Sequence, residues 1–539
     1  MAWFPDARAE LRSLLGGAWF DEAAAALATP TTTTCLRVNT LRATPEAVRA
    51  RLSELLPGVE IRSVPGVPEA LLVVGAPPAR LNGESLDAAA RAVCHEVAVN
   101  RRCAEAVLRG SNVYAPGVFG CTAGLEPGAL VAVTALIEPL GAGSCGMTRG
   151  TKLPPRSGLG RGGEPIADAP PPRMLLCVGT AVLSRGDLFR ATSGLAVRVS
   201  LRRWDAFASA EALAPLLSAG WVQIQNLPSL VAACALNSGP DDRVLDMCAA
   251  PGGKTVALAA LMGAGGSGAI TSLDVNATKI GAIRALVGAM GASGRVTAIR
   301  MDATKSVLGG CGGDDTGEGG GAGEAENVVG TDEIDDGDDD NKPSGLPVPS
   351  PRGGVYGDDG AVAGAAKRDA RASRKAAGAA SRGGTTPRPR APPEPPGAPF
   401  PPSSFHKILV DAPCSALGLR PRLAQPVTRP ALFRFAGYQR ALLRCAVALL
   451  RPGGSLVFST CTISPLENEA NVGWLLSTFP SMQLSPHSPM LGGPGREGPA
   501  EEGGQPWLTQ QQAALVQRFS PKEHDTIGFF IARFEKRME

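Results

Sequence analysis

From Arg243 onward the chain alternates between short apolar runs and longer amphipathic ones. RVLDM (243–247) is a brief apolar run, followed by a glycine turn and the helical TVALAALM. AITSLD ends at Asp274, a helix is expected from about Ala277 to Met290, and RVTAIRMD ends at Asp302. Further on come HKILVD, a helix near 431–451, GSLVFST, a helix near 466–478 and TIGFFIARF. Near-continuous apolar strands separated by helices predict an α/β fold with a Rossmann-like, doubly wound parallel sheet. Ligands of such sheets bind at the carboxyl ends of the strands. Asp246, Asp274, Asp302, Asp411 and Cys461 all fall at those ends.

The upstream pattern differs. Residues 36–75 read strand, helix, strand, strand, which predicts a small α+β unit within 1–98. Residues 99–197 carry short β-like runs punctuated by Gly and Pro, as in AVLRGSNVYAPGV, and predict a compact β-rich domain. A Gly/Pro-rich loop is expected at 141–172, and the catalytic unit at 198–539. Within that unit, 308–402 runs from an acidic Gly-rich half to a basic, then Pro-rich half with no apolar period. Such a segment cannot bury enough surface to offset its ordering entropy, so a disordered insertion is expected.

Composition narrows the function. A net charge of +3 means that a nucleic-acid partner must be met by a local basic face. The 12 cysteines form no CxxC pair and the four histidines are scattered, which argues against zinc. The start lacks a basic region followed by an apolar run, and no stretch reaches the roughly 18 apolar residues of a membrane helix. A soluble, cytoplasmic, monomeric protein with free thiols is expected.

Three motifs carry the chemistry. LDMCAAPGGKT (245–255) joins a strand to a helix through a glycine turn. It matches neither the phosphate loop nor GxGxxG. Small residues from Cys248 through Ala249, Ala250, Pro251, Gly252 and Gly253 to Lys254 allow close backbone approach to a ligand. Asp274, at the next strand end, could accept two ribose hydroxyls, so a nucleoside-bearing cofactor is expected. A plain tight turn is the alternative. The other motifs, DAPCSALG and FSTCTISPLENE, place Cys414 and Cys461 just past consecutive strands. A lone cysteine is usually packing. Two of them at the ligand-binding edge, both ahead of helices that would lower a thiol pKa, and with Asp411 nearby, fit alkylation of an electron-poor ring.

Together these motifs resemble the Sun-domain RNA cytosine-C5 methyltransferases, which use S-adenosyl-L-methionine. AVLRGSNVYAPGV, QNLPSLVAACALN and DTIGFFIARF resemble the branch with an inserted PUA domain, an RNA-binding β-barrel. The resemblance implies transfer of a methyl group to C5 of cytosine in RNA, with tRNA near its acceptor stem and CCA end the first candidate and mRNA a second. It implies Cys461 as the nucleophile, Cys414 as the releasing group, and Asp411 and Lys254 beside the base. Cys248 to Lys254, Asp274, Asp302 and Asp411 would line the cofactor pocket, Asp274 on the ribose and Asp302 on the adenine. Two departures stand out. Ala416 occupies a position where the relatives often carry Gly, and the 308–402 insertion is foreign to them. DNA cytosine methyltransferases use the Pro-Cys thiol as nucleophile and lack a second cysteine after FST. Amino-group methyltransferases favour an Asn/Asp-Pro-Pro-aromatic turn, which DAPC lacks.

Overall fold

The computed structural model describes residues 1–75, 83–136, 140, 147–154, 173–204, 210–310, 399–499 and 506–538. Its largest element is a nine-stranded sheet. Val296–Arg300, Ala269–Asp274, Arg243–Asp246, Phe405–Asp411 and Leu450–Thr460 lie side by side in that order, all parallel. Phe529–Lys536 continues the sheet antiparallel, with Gln517–Phe519 and Gly493–Pro494 beyond it and Met482–Leu484 also on its edge. Alternate residues of the central strands feed separate cores. Leu409 and Val457 join one, with the helices Leu227–Ala235 and Gly253–Leu261. Ile408, Val410, Leu456 and Phe458 join the other, under helix Arg429–Leu449. That alternation is the two-residue period of a strand with both faces covered.

The α+β unit is a four-stranded antiparallel sheet in the order Val222–Ile224, Thr33–Val38, Val67–Val74, Ile61–Val64. Helices Pro45–Leu55 and Ala210–Ser218 cover one face of it. This corrects the expected boundary at 198: the chain returns after the β-rich domain to complete the N-terminal sheet. The β-rich domain is therefore inserted into the α+β unit.

That domain has a seven-stranded sheet running from His95–Val99 to Leu195–Arg202. One of its strands, Thr151–Leu153, lies in the span expected to be a loop, 141–172, and pairs with Val118–Thr122. The rest of that span, apart from 147–154, is outside the described residues. Glu105, on helix Arg101–Leu108 of this domain, is fully buried. It accepts a hydrogen bond from the Leu423 N–H at 2.8 Å and one from Arg422 Nη1 at 3.1 Å, both in the catalytic unit.

The insertion expected at 308–402 lies outside the described residues from 311 to 398. Its two ends are ordered and joined, which corrects its bounds. The Leu308 N–H donates to the Phe400 carbonyl at 2.8 Å, the Phe400 N–H donates to Ser306 at 2.7 Å, and Phe400 stacks edge-on against Phe405. Nine of the described cysteines are free thiols. Among the described residues no helix is long and apolar enough to cross a membrane, and no cluster of His, Cys, Asp or Glu is placed to hold a metal.

Candidate functional site

The strand Arg243–Asp246 delivers the chain into the small-residue turn, and helix Gly253–Leu261 leads it away. Gly252 closes the turn at φ +106°, and a Cβ there would also crowd Leu286 Cδ2 at 3.3 Å. Glycine is required for both reasons. Asp246 accepts a hydrogen bond from Thr255 Oγ1 at 2.7 Å through Oδ2, while its buried Oδ1 has no partner among the described residues. Burial, with a smaller push from the charge of Asp411, raises Asp246 to about 7 against the opposing Thr255 bond. Burial also holds the Cys248 thiol well above its ordinary value. The charges of Asp246, Asp274, Asp411 and Asp302 add to that effect, so four strand-end acids surround Cys248.

Lys254, nearly buried, reaches from the first helical turn to Asp411. Its Nζ donates to Asp411 Oδ2 at 2.5 Å and stands 5.3 Å from the centre of the Phe529 ring. Ser459, opposite Asp411 in the neighbouring strand, donates to Oδ1 at 2.7 Å. Both carboxylate oxygens are thus fixed by donors, and the carboxylate is held in one orientation.

Cys414 and Cys461 meet with their Sγ atoms 3.4 Å apart. The contact with Cys461, then burial, pushes the Cys414 thiol well above its ordinary value. Helix termini have no part in this. The following helices begin at Arg429 and Glu469, well beyond either cysteine, which corrects the expectation that helix N-termini activate them. The two cysteine loops are locked by buried polar groups instead. Glu467 accepts from the Ser415 N–H at 2.9 Å, from the Ser415 hydroxyl, and from Gln439 Nε2 at 3.0 Å. Thr460 donates to Asn468 Oδ1, and Asn468 Nδ2 donates to the Thr462 carbonyl at 3.0 Å. Gly418 runs between the two loops: its N–H donates to the Cys461 carbonyl, its carbonyl accepts from Gly528, and a Cβ would strike the Gly528 carbonyl.

One pocket joins these parts. Cys248, Ala249, Ala250, Pro251, Gly253, Lys254, Asp411 and Cys461 line it, together with Asp246 and Phe529. Gln223 and Gln225 from the α+β unit and Arg109 from the β-rich domain complete its wall. Gly252 and Cys414 are not among its lining residues, though Cys414 touches Cys461, which is. Asp274 and Asp302 lie at the adjoining strand ends, where each caps the next turn through Oδ1, to the Asn276 and Thr304 N–H groups. Sequence reasoning missed Phe529, Ser459, Gln223, Gln225 and Arg109, which carry no local motif. Asp274 and Asp302 are not among the pocket's lining residues, but the residues that are fit a nucleoside sulfonium ligand: a glycine turn gives access, Asp246 and Asp411 suit donors and positive charge, and the buried Asp246 Oδ1 has no partner among the described residues.

Comparison with known proteins agrees. Residues 233–313 and 391–535 match the family described as 16S rRNA methyltransferase RsmB/F, and residues 95–150 match the PUA domain. The chain is 34% identical to the rRNA (cytosine-C(5))-methyltransferase NOP2C of Arabidopsis thaliana, an alignment covering 99% of this chain and 90% of that protein. It is 29% identical to the tRNA (cytosine(72)-C(5))-methyltransferase NSUN6 of Mus musculus, covering 95% and 88%. The crystal structure of NSun6 from Pyrococcus horikoshii with SFG superposes with a TM-score of 0.64 at 25% identity, over 100% of this chain and 99% of that one. S-adenosyl-L-methionine is the methyl donor of these enzymes. The chain belongs to the RNA (cytosine-C5)-methyltransferase family.

Proposed function

We propose that the chain methylates C5 of a cytosine near the acceptor end of tRNA through a covalent adduct with Cys461. The observation that carries the reading is the pair of thiols 3.4 Å apart beside the Lys254–Asp411 ion pair. Cytosine C5 is a poor nucleophile. Addition of the Cys461 thiolate to C6 makes C5 enamine-like, so that it can take a methyl group. Asp411, held by Lys254 and Ser459, is oriented to accept from the N4 amino group, and the Lys254 ammonium beside it steadies the negative charge that builds on the ring. The bound donor supplies an electrophilic methyl group at C5. Removal of the C5 proton and expulsion of Cys461 then restore the C5–C6 double bond, and Cys414 assists that release. Attack needs access above the ring, so the base must be unstacked. The PUA match supports tRNA binding through the β-rich domain, and the NSUN6 relatives are named for position 72 of tRNA.

A second reading, ribosomal RNA as substrate, is favoured by the name of the Arabidopsis relative. Bisulfite sequencing of RNA from cells with and without the protein separates the two. Loss of 5-methylcytosine at the tRNA acceptor end supports the first reading, and loss confined to ribosomal RNA supports the second.

A further inference from the structure

Thr33–Val38 presents Leu36 and Val38 to its own helices and Arg37 to the catalytic unit, as strand alternation demands. Gln223 lies directly opposite Arg37 in the antiparallel pair, and Gln225 follows two residues on, so the three side chains share one face. Arg37 is 1% exposed. Its Nε donates to Gln225 Oε1 at 2.9 Å and its Nη2 donates to Gln223 Oε1 at 2.6 Å. A guanidinium has only donors, so it compels both amides to turn their oxygens inward. Both amino groups must then face the other way. They stand over Gly253, where a Cβ would meet Gln223 Nε2 at 3.5 Å and Gln225 Nε2 at 3.6 Å, and both glutamines line the catalytic pocket. The charge of buried Glu69 offsets part of the cost of burying Arg37, and Arg37 Nη1 has no hydrogen-bond partner among the described residues.

We infer that Arg37 is a positioning residue that fixes Gln223 and Gln225 as a pair of amide donors, and that these donors hold an acceptor oxygen of the RNA strand entering the pocket. The inference rests on the RNA-methylation reading. The ligand is the RNA and not the methyl donor because of what shares this part of the wall. Arg109, from the β-rich domain, lines the same pocket, and so do Asp411 and Cys461, the groups proposed to meet the base. Neutral amides suit a neutral or anionic oxygen equally, and two of them in a fixed fork impose direction on the strand.

The test uses the full-length chain. Gln225→Glu keeps an acceptor for Arg37, now as an ion pair, but replaces the outward donor with an acceptor. The expected result is a rise of about tenfold or more in KM for RNA, the scale of one lost hydrogen bond to substrate, with unchanged affinity for S-adenosyl-L-methionine by calorimetry. Arg37→Met should raise KM in the same way, and Arg37→Lys, which cannot fork between two oxygens, should not rescue it. If Arg37→Met fails to fold, Gln225→Glu and Gln223→Leu decide the matter. Unchanged KM in the glutamine variants overturns the inference, as does weakened donor binding with RNA KM intact. A wild-type protein that methylates no RNA would instead refute the underlying reading.

Discussion

Ser415 Oγ and Thr462 Oγ1 lie 2.7 Å apart, and each belongs to the residue that follows a cysteine of the site. The sulfur-to-sulfur distance is therefore set by a buried hydroxyl pair behind it, anchored on Glu467. Ser415→Ala or Thr462→Val should each cost about 1–3 kcal/mol by leaving buried partners unsatisfied. Turnover should fall further than stability explains, because the thiols lose their spacing. Chemical denaturation beside single-turnover kinetics checks this. Equal losses in both would reduce the pair to scaffolding.

The two thiols should fail differently. Cys461→Ala should abolish both methylation and any covalent adduct. Cys414→Ala should still attack and methylate but release slowly, and so accumulate protein–RNA complexes that survive boiling in detergent. Denaturing gels with labelled RNA read the difference. Trapping by Cys461→Ala and not by Cys414→Ala would exchange the roles.

Asp246 should make stability depend on pH. Its carboxyl is raised from an ordinary value near 3.8 to about 7 in the folded chain, so the folded state holds the proton more tightly than the unfolded one. The stability it contributes is complete below pH 4 and is lost as pH rises through about 7. Asp246→Asn can still accept from Thr255 and removes the ionisation. Its melting temperature should decline less between pH 4 and 7 than the wild type's, and stay above it at pH 8. Parallel curves would mean that Asp246 does not titrate there.

The joined stems of the insertion make a deletion design. Removing 311–398 and bridging Gly310 to Pro399 with a short Gly/Ser link keeps the Leu308–Phe400 bond. Shortening the loop lowers its closure entropy and should stabilise the chain by on the order of 2 kcal/mol. Calorimetric melting decides it, and a large loss of stability would show that the segment is packed.

Ala416 stands at φ +54°, in the left-handed region that disfavours a side chain. Gly would be the easier choice at this position. Ala416→Gly should leave stability unchanged or raise it by up to about 1 kcal/mol, since relief of strain works against the added freedom of the unfolded chain. A clear loss would mean that the methyl group packs against something that outweighs the strain.

Much of the site was legible because its chemistry is carried by strand ends. Leu245, Ile408 and Val457 belong to dense apolar runs, so the turns after them could be located, and Asp411, Cys414 and Cys461 with them. Gln223 and Gln225 were not legible. They reach the pocket by a pairing of Val222–Ile224 with Thr33–Val38, far apart in sequence, and a short polar strand shows no period. Strands Gly493–Pro494 and Gln517–Phe519 were hidden for the same reason. The buried polar set of Glu467, Asn468 and Gln439 also escaped, because hydrophobic pattern marks only apolar burial. The cysteine environment was misread through helix placement: proximity to a helix in sequence is not position at its first turn.

Glu105 ties the inserted β-rich domain to Arg422 and Leu423, eight and nine residues beyond Cys414. A buried carboxylate that accepts from both is costly to pull free. If the inserted domain holds an end of the RNA, as proposed above, this joint keeps that end at a set span from the pocket, and the enzyme would work as a ruler. Such an enzyme counts nucleotides more strictly than it spells them. Swapping a neighbouring base should cost less activity than adding a single nucleotide between the gripped end and the target cytosine.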